Sequence, residues 1–283
     1  MRGIDIRIAP AALDGFSKSS FTSSSKQTHD VYRMGTGPAV IVIHEVPGLT
    51  PLVAAFGRMV AQCGMTAVLP DLFGTPGREP VGSYLVSSML RACVSREFTL
   101  FATNKTSPIV QFLRELARNE HERCGGPGVG AIGMCLTGGF ALAMSVDDTV
   151  VAPVLTQPSL PLALGARRRG AIDVAANDLR TIKRRADDGL CVMGLRFTLD
   201  KKSPGERFAL LRRELGENFI AVEIDSSVDN PWGYRSSAHS VLTEDYVDDL
   251  GSPTRAALDD VLSFFSTRLN VTSPGDSSNE SHD

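Results

Sequence analysis

The stretch GAIGMCLTGGF (Gly130–Phe140) joins an apolar strand pattern to an apolar helical pattern through Cys135. This order predicts a strand, a sharp turn and a helix, which lifts a nucleophile out of the carboxyl edge of a sheet. The backbone N–H of Leu136 then points at the same space, and the helix N-terminus favours a thiolate over a thiol. A buried structural cysteine beside a tight turn is the alternative.

Strand and helix patterns alternate along the rest of the chain. Apolar runs predict buried strands in PAVIVIHE (38–45), MTAVLPDLFG (65–74), TVVAPVLTQP (149–158) and GLCVMGLRFT (189–198), and a late strand in FIAVEIDSS (219–227). Amphipathic segments predict helices in 47–64, 106–126, 203–216 and 252–270, and the third of them begins with a capping box formed by Ser203 and Glu206. Such alternation predicts an α/β protein with a mostly parallel sheet covered by helices on both faces.

Composition places the chain among ordinary globular proteins. Of its 283 residues 42% are hydrophobic and 22% charged, and the net charge of -3 gives no reason to expect nucleic acid. We predict one domain over residues 31–270, preceded by an arm or antiparallel edge element in 1–30 and followed by a disordered polar tail in 271–283. No run approaches membrane-spanning length, no secretory signal is visible, and the five scattered cysteines suggest free thiols, so we expect a cytoplasmic protein.

Three residues occur in the chain order that a hydrolase of this architecture requires. The nucleophile comes first, the acid second and the histidine last, and Cys135, Asp200 and His239 satisfy that order. Asp200 stands just past a strand end, where ligand-facing loops gather, although Asp225 and Asp229 are rivals. His239 lies in a polar loop, SSAHSVLTEDY, after the last strand, and it is the best placed of the five histidines.

The loop HEVPGL (44–49) follows the first buried strand and supplies two further candidates. The Val46 N–H is the natural second oxyanion donor beside the Leu136 N–H. Glu45, turned toward the thiol at the end of an apolar strand, could accept its proton or hold it aside. A solvated loop glutamate is the alternative.

The chemistry requires no metal ion or organic cofactor, and the four scattered cysteines besides Cys135 do not suggest a zinc site.

Several motifs together are similar to those of the dienelactone hydrolase family. They are the HE-x-PGL loop, the strand end PDLFG, the G-x-C elbow with following glycines, the Asp before an ERF helix, and AHSVLTEDY, and they span residues 38–268. The resemblance implies an α/β-hydrolase fold with a Cys, His, Asp triad that hydrolyses an enol-lactone or related ester. It also implies that Glu45 holds the cysteine in a resting arrangement until substrate arrives.

The chain departs from that family in ways that affect the site and the substrate. Thr137 stands where the family usually has glycine, and a β-branched residue is expected to crowd the approach of helix and strand. Extra sequence around 83–105 and 159–187 means that substrate identity does not carry over. Candidate substrate contacts are Arg96 and Arg196, and the aromatic pair Trp232 and Tyr234, for which loop packing is an equal explanation.

The sequence therefore predicts an enzyme acting on a small-molecule ester or lactone, with no nucleic-acid or membrane partner. His239 deprotonates Cys135, the thiolate attacks the carbonyl, Asp200 orients the imidazole, and water resolves the acyl-enzyme. A thioesterase or general carboxylesterase using the same residues is one alternative. A catalytically idle hydrolase fold that binds a small molecule or partner is another.

Overall fold

The computed structural model describes residues 12–80, 107–159, 170–172 and 174–271. Within these ranges the chain forms an eight-stranded sheet of order β1-β2-β4-β3-β5-β6-β7-β8. The strands are β1 (Ser17–Thr22), β2 (Thr28–Gly35), β3 (Ala39–Ile43), β4 (Thr66–Pro70), β5 (Val129–Met134), β6 (Val150–Thr156), β7 (Val192–Phe197) and β8 (Phe219–Ile224).

Strand directions confirm the predicted mostly parallel sheet. The neighbouring pairs from β4 through β8 are all parallel, whereas β1 pairs with β2 and β2 with β4 in antiparallel register. Of the two possibilities for the N-terminal segment, residues 17–35 therefore adopt the antiparallel edge. The predicted domain boundary at residue 30 falls inside β2.

Six helices are described, and three of them start in the same way. They are α1 (Pro51–Gln62), α2 (Pro108–Cys124), α3 (Gly138–Met144), α4 (Ala176–Asp187), α5 (Gly205–Leu215) and α6 (Pro253–Arg268). In α1, α2 and α6 a Thr or Ser side chain accepts a hydrogen bond from a backbone N–H of the first turn, and proline occupies the first helical position. Proline fits there because that N–H has no partner within the helix.

The start of α5 differs from the sequence prediction. The capping box assigned to Ser203 is wrong, because the helix begins after Pro204 and has no side-chain cap. The backbone N–H groups of Lys202 and Ser203 donate instead to the Asp200 carboxylate, at 2.9 Å for Lys202. This segment is therefore folded around Asp200 and not around the helix end.

The sheet is covered on both faces. Helices α2 to α5 pack on one face, and α1 and α6 pack on the other. Every residue of β3 and β5 is buried, which is typical of central parallel strands. No helix in the described ranges is long and apolar enough to cross a bilayer.

The chain reverses its direction of progress across the sheet beside β3. From β3 it moves to β4 on one side, and it then returns to β5 on the other. Ligands of open α/β sheets bind in the crevice outside the carboxyl ends of strands at such a switch point. The carboxyl ends of β3 and β5 carry the segments that begin at His44 and Cys135.

Candidate active site

Cys135 occupies the sharp turn that the sequence predicts. β5 ends at Met134, a single 3₁₀ turn follows over Cys135–Thr137, and α3 begins at Gly138. Cys135 has φ 57°, a left-handed conformation that costs a non-glycine residue about 1–3 kcal/mol. Strain of this kind persists where the surrounding structure holds it, and it turns the half-buried cysteine away from the strand direction.

Thr137 holds this turn in place. Its side chain is fully buried, and its Oγ1 accepts from the Met134 N–H at 2.9 Å. The same hydroxyl has three acceptors within reach of its one proton: Ile43 O at 2.9 Å, Met134 O at 2.9 Å and His44 O at 3.2 Å. The crowding expected from a β-branched residue is therefore not observed. The hydroxyl instead links the turn after β5 to the end of β3.

Two glycines allow the turn to pack closely against neighbouring backbone. A Cβ atom on Gly133 would lie 2.1 Å from Thr137 O, and one on Gly138 would lie 2.7 Å from Pro158 Cα. Real side chains do not tolerate either distance, so both positions require glycine. The second contact places the segment after β6 directly against the turn that carries Cys135.

His239 and Asp200 form a buried pair. The Nδ1–H of His239 donates to Asp200 Oδ2 at 2.6 Å, and the two residues are 7% and 4% exposed. Burial disfavours the charged carboxylate, but the hydrogen bond and charge of His239 keep the pKa of Asp200 below its ordinary value. The Nε2 atom is buried, and the side chain of Cys135 is its hydrogen-bonding neighbour.

The charge state of His239 depends on both of its neighbours. Burial alone would lower the pKa of the imidazole, but a negative charge on Cys135 and the hydrogen bond to Asp200 raise it to about 10. The arrangement therefore favours a protonated imidazole on His239, beside Cys135. The structure thus places Asp200 and Cys135 as the two side chains that contact the His239 imidazole, and the catalytic role of the three residues stays a prediction.

Asp245 closes the loop that carries His239. Its Oδ2 accepts from the backbone N–H groups of His239 at 2.8 Å and Ser240 at 3.1 Å. Its Oδ1 receives a hydrogen bond from the exposed Arg235 at 3.0 Å. The Asp in the motif AHSVLTEDY therefore shapes the histidine loop.

Glu45 is buried, so the alternative of a solvated loop glutamate does not apply. It is 6% exposed, and its carboxylate accepts hydrogen bonds from three side chains. Ser240 Oγ donates at 2.9 Å, Gln157 Nε2 at 3.3 Å, and Thr243 Oγ1 donates to the other oxygen. Two of these donors, Ser240 and Thr243, lie one and four residues after His239 in the chain. The contacts found for this carboxylate thus hold the histidine loop, in place of the contact with Cys135 that the resemblance implied.

Gln157, which the sequence analysis missed, completes the support of the histidine loop. Its Oε1 accepts from the Val241 N–H at 3.3 Å, and its Nε2 donates to Glu45. It is almost fully buried and has a positive φ of 36°, as Cys135 does with 57°. Its position directly after β6, at the carboxyl edge of a parallel sheet, is the signal that could have identified it.

The two proposed oxyanion donors lie at neighbouring strand ends. β3 and β5 are adjacent and parallel, and Val46 and Leu136 follow them by a few residues. Their role as donors stays a prediction.

His44 has a different role in the same loop. Its Nδ1–H donates to Glu45 O at 3.1 Å, and its Nε2 accepts from the Leu72 N–H at 3.1 Å. Burial lowers its pKa to about 4, so it is neutral at pH 7 and joins two loops.

Arg196, a candidate substrate contact, has other partners. Its guanidinium donates to Ser203 O at 2.8 Å, to Thr198 O at 2.8 Å and to Glu223 at 2.5 Å. It is 4% exposed and braces the segment that contains Asp200. The other candidate, Arg96, lies outside the described residues.

The aromatic candidates are positioned by loop packing. Tyr234 is buried, and its hydroxyl lies 3.0 Å from Thr254 Oγ1 and 3.3 Å from Ser252 Oγ at the start of α6. Trp232 is half-buried near Gly251. These contacts favour the packing explanation for the pair.

Within the described ranges no three histidine, cysteine or acidic side chains are grouped so that they could hold a metal ion.

The sheet topology and the turn at Cys135 define the chain as an α/β hydrolase. The dienelactone hydrolase family matches residues 29–172, just over half of the sequence, and the chain belongs to that family. Comparison with curated proteins gives no match.

Solved structures share the fold at low sequence identity. A candidate dienelactone hydrolase from Klebsiella pneumoniae is 17% identical with a TM-score of 0.61, covering 89% of this chain and 98% of that one. The dienelactone hydrolase-like promiscuous phosphotriesterase P91 from metagenomic libraries is 16% identical with a TM-score of 0.55, over 90% and 99%. A thioesterase domain from the curacin biosynthetic pathway is 10% identical with a TM-score of 0.53, over 88% and 100%.

Proposed function

We propose that the protein hydrolyses a carboxylic ester or enol-lactone through an acyl-enzyme on Cys135. The observation that carries the proposal is the buried 2.6 Å hydrogen bond between His239 and Asp200, beside a cysteine held at positive φ. A nucleophile, a base next to it and a carboxylate that orients the base are the parts that acyl transfer requires. Membership of the dienelactone hydrolase family supports the same class of reaction.

The reaction begins when the Cys135 thiolate attacks the carbonyl carbon. A C–S bond forms, and the carbonyl electron pair moves onto oxygen, where the Leu136 and Val46 N–H groups stabilise it. Collapse of this intermediate breaks the C–O bond, and the leaving oxygen takes the proton from His239 Nε2. In a lactone the leaving oxygen stays attached to the acyl group.

Water then completes the turnover. Nε2 of His239 accepts a proton from the water molecule that attacks the acyl carbon, and the C–S bond breaks. The thiolate returns, and the imidazolium faces it again. Asp200 keeps the proton of Nδ1 directed at its own carboxylate, so that Nε2 remains the nitrogen that exchanges protons.

Alkylation with iodoacetamide tests this proposal. We expect one thiol, identified as Cys135 by peptide mass spectrometry, to react fastest, and hydrolysis of p-nitrophenyl acetate to fall in proportion to its modification. Saturating ester should slow the alkylation. Full modification of Cys135 without loss of hydrolysis would contradict the proposal, and equally slow thiols with no hydrolysis would favour an idle fold.

Comparing rates on an enol-lactone, aryl esters and acyl thioesters separates the ester hydrolase from the thioesterase.

A further inference from the structure

Ser159 is a polar neighbour of the Cys135 sulfur that the mechanism above does not use. Its Oγ lies 3.1 Å from Cys135 Sγ, and its backbone N–H donates to Cys135 O at 2.9 Å. Ser159 is 7% exposed, so water competes little for this hydroxyl. The serine therefore contacts the candidate nucleophile through both its side chain and its backbone.

The segment Gln157–Ser159 is fixed in front of the cysteine. The Gln157 N–H donates to Leu195 O in β7 at 2.7 Å, and the buried Arg207 of α5 donates to Pro158 O. With the bond from Ser159 to the turn, three consecutive residues are each tied to a different element. A hydroxyl presented from so constrained a backbone keeps its position relative to the sulfur.

The chemistry of the two groups decides which one donates. A serine hydroxyl is a good donor, a thiol is a weak one, and a thiolate only accepts. Hydrogen bonds to a charged acceptor are roughly twice as strong as those between neutral groups. Glu45, which the resemblance associates with the thiol, accepts hydrogen bonds from the histidine loop instead. The hydroxyl of Ser159 is therefore the group placed to donate a hydrogen bond to the Cys135 sulfur.

We propose that the Ser159 hydroxyl donates to the Cys135 sulfur and stabilises the thiolate of the resting enzyme. The inference rests on the proposed function in that Cys135 is taken as the nucleophile. His239 and Ser159 then stabilise the same negative charge, the first by its cationic charge and the second by a hydrogen bond. When sulfur attacks a carbonyl, the charge moves to oxygen and the serine bond weakens, so Ser159 acts on the amount of thiolate present before attack.

The pH profile of Cys135 alkylation tests the inference without any substrate. In Ser159→Ala the backbone bond to Cys135 O remains, and only the hydroxyl is lost. We expect the midpoint of the profile to move up by about one pH unit, so that alkylation below the midpoint slows roughly tenfold, while the rate at high pH stays within about twofold. A general loosening of the site would change the whole profile instead of moving its midpoint.

Two further proteins complete the experiment. Ser145→Ala removes another buried hydroxyl, bonded to Leu142 O at 2.7 Å at the far end of α3, and should keep the wild-type profile. A Ser159→Ala profile that superimposes on the wild type, or moves to lower pH, would overturn the inference. Hydrolysis by Cys135→Ala is measured in parallel. If the Ser159→Ala profile is unchanged and Cys135→Ala is inactive, only the role of Ser159 fails. If Cys135→Ala is active, the proposed function itself fails.

Discussion

A Cys135→Ala protein is expected to hydrolyse activated aryl esters more slowly than the wild type by a factor of roughly 10⁴ or more. The methyl group of alanine cannot form the acyl-enzyme, so only substrate binding and the oxyanion donors remain to assist attack by water. Steady-state hydrolysis of p-nitrophenyl acetate measures the loss.

Cys191→Ala is the matched control for that experiment. Cys191 is half-buried at the start of β7, and its Sγ lies 3.8 Å from Asn218 Oδ1 and 4.0 Å from Gly189 O. Its removal should leave hydrolysis within about twofold of the wild type, because its Sγ neighbours Asn218 and Gly189 are not part of the candidate site. A Cys135→Ala protein that keeps more than a tenth of wild-type activity would contradict the role of Cys135.

Asp200→Asn is expected to lower kcat by about 10³ to 10⁴, the loss seen when the orienting carboxylate of a triad becomes an amide. Asparagine has nearly the same shape, and its side-chain oxygen can still accept from the Lys202 N–H, as Asp200 Oδ1 does at 2.9 Å. The NH₂ group then faces His239 Nδ1 and requires an acceptor there. The imidazole proton moves to Nε2, and His239 can no longer accept a proton at that nitrogen.

Asp225→Asn controls for the loss of a carboxylate near the end of a strand. Asp225 was a rival to Asp200 in the sequence, but its carboxylate accepts from Ser227 N at 2.9 Å and Ser227 Oγ at 3.0 Å within its own loop. We expect it to retain wild-type kcat. Equal losses in the two variants, or none in Asp200→Asn, would remove Asp200 from the site.

The order of the elements could be predicted from the sequence because parallel α/β sheets have strong local patterns. The run AVIVI of β3 is apolar throughout, and the VGAIGM of β5 leads into a turn with glycines. Every candidate that follows a strand end belongs to the same edge of the sheet once the strands are parallel. That geometry explains why Cys135 and Asp200 could be placed on one side of the molecule from chain order alone.

The partners of the polar side chains could not be predicted in the same way. Glu45 was expected to face the thiol, yet it accepts from Ser240 and Thr243, which are 195 and 198 residues away in the chain. Thr137 was expected to crowd the turn because only its branched shape is visible in the sequence. Its hydroxyl lies within hydrogen-bond distance of Ile43 O at the end of the neighbouring strand β3, 94 residues away in the chain. Such contacts depend on register and on loop paths that carry no local pattern.

The error at Ser203 has a related cause. Ser-Pro-x-Glu is a valid start for an isolated helix, but the segment also lies next to a buried carboxylate that requires donors. Asp200 takes the nearby backbone N–H groups, and the helix begins one residue later than predicted. The hydrogen bonds that the buried Asp200 carboxylate requires thus outweigh the local helix signal.

The central claim is that Cys135 carries the acyl group during turnover. Peptide mass spectrometry of wild-type protein quenched with acid during the first turnovers of p-nitrophenyl acetate tests it most directly. We predict one acetyl group per chain, located on the peptide that contains Cys135 and lost on longer incubation without substrate. An acetyl group on another residue, or hydrolysis with Cys135 unmodified throughout, would contradict the account.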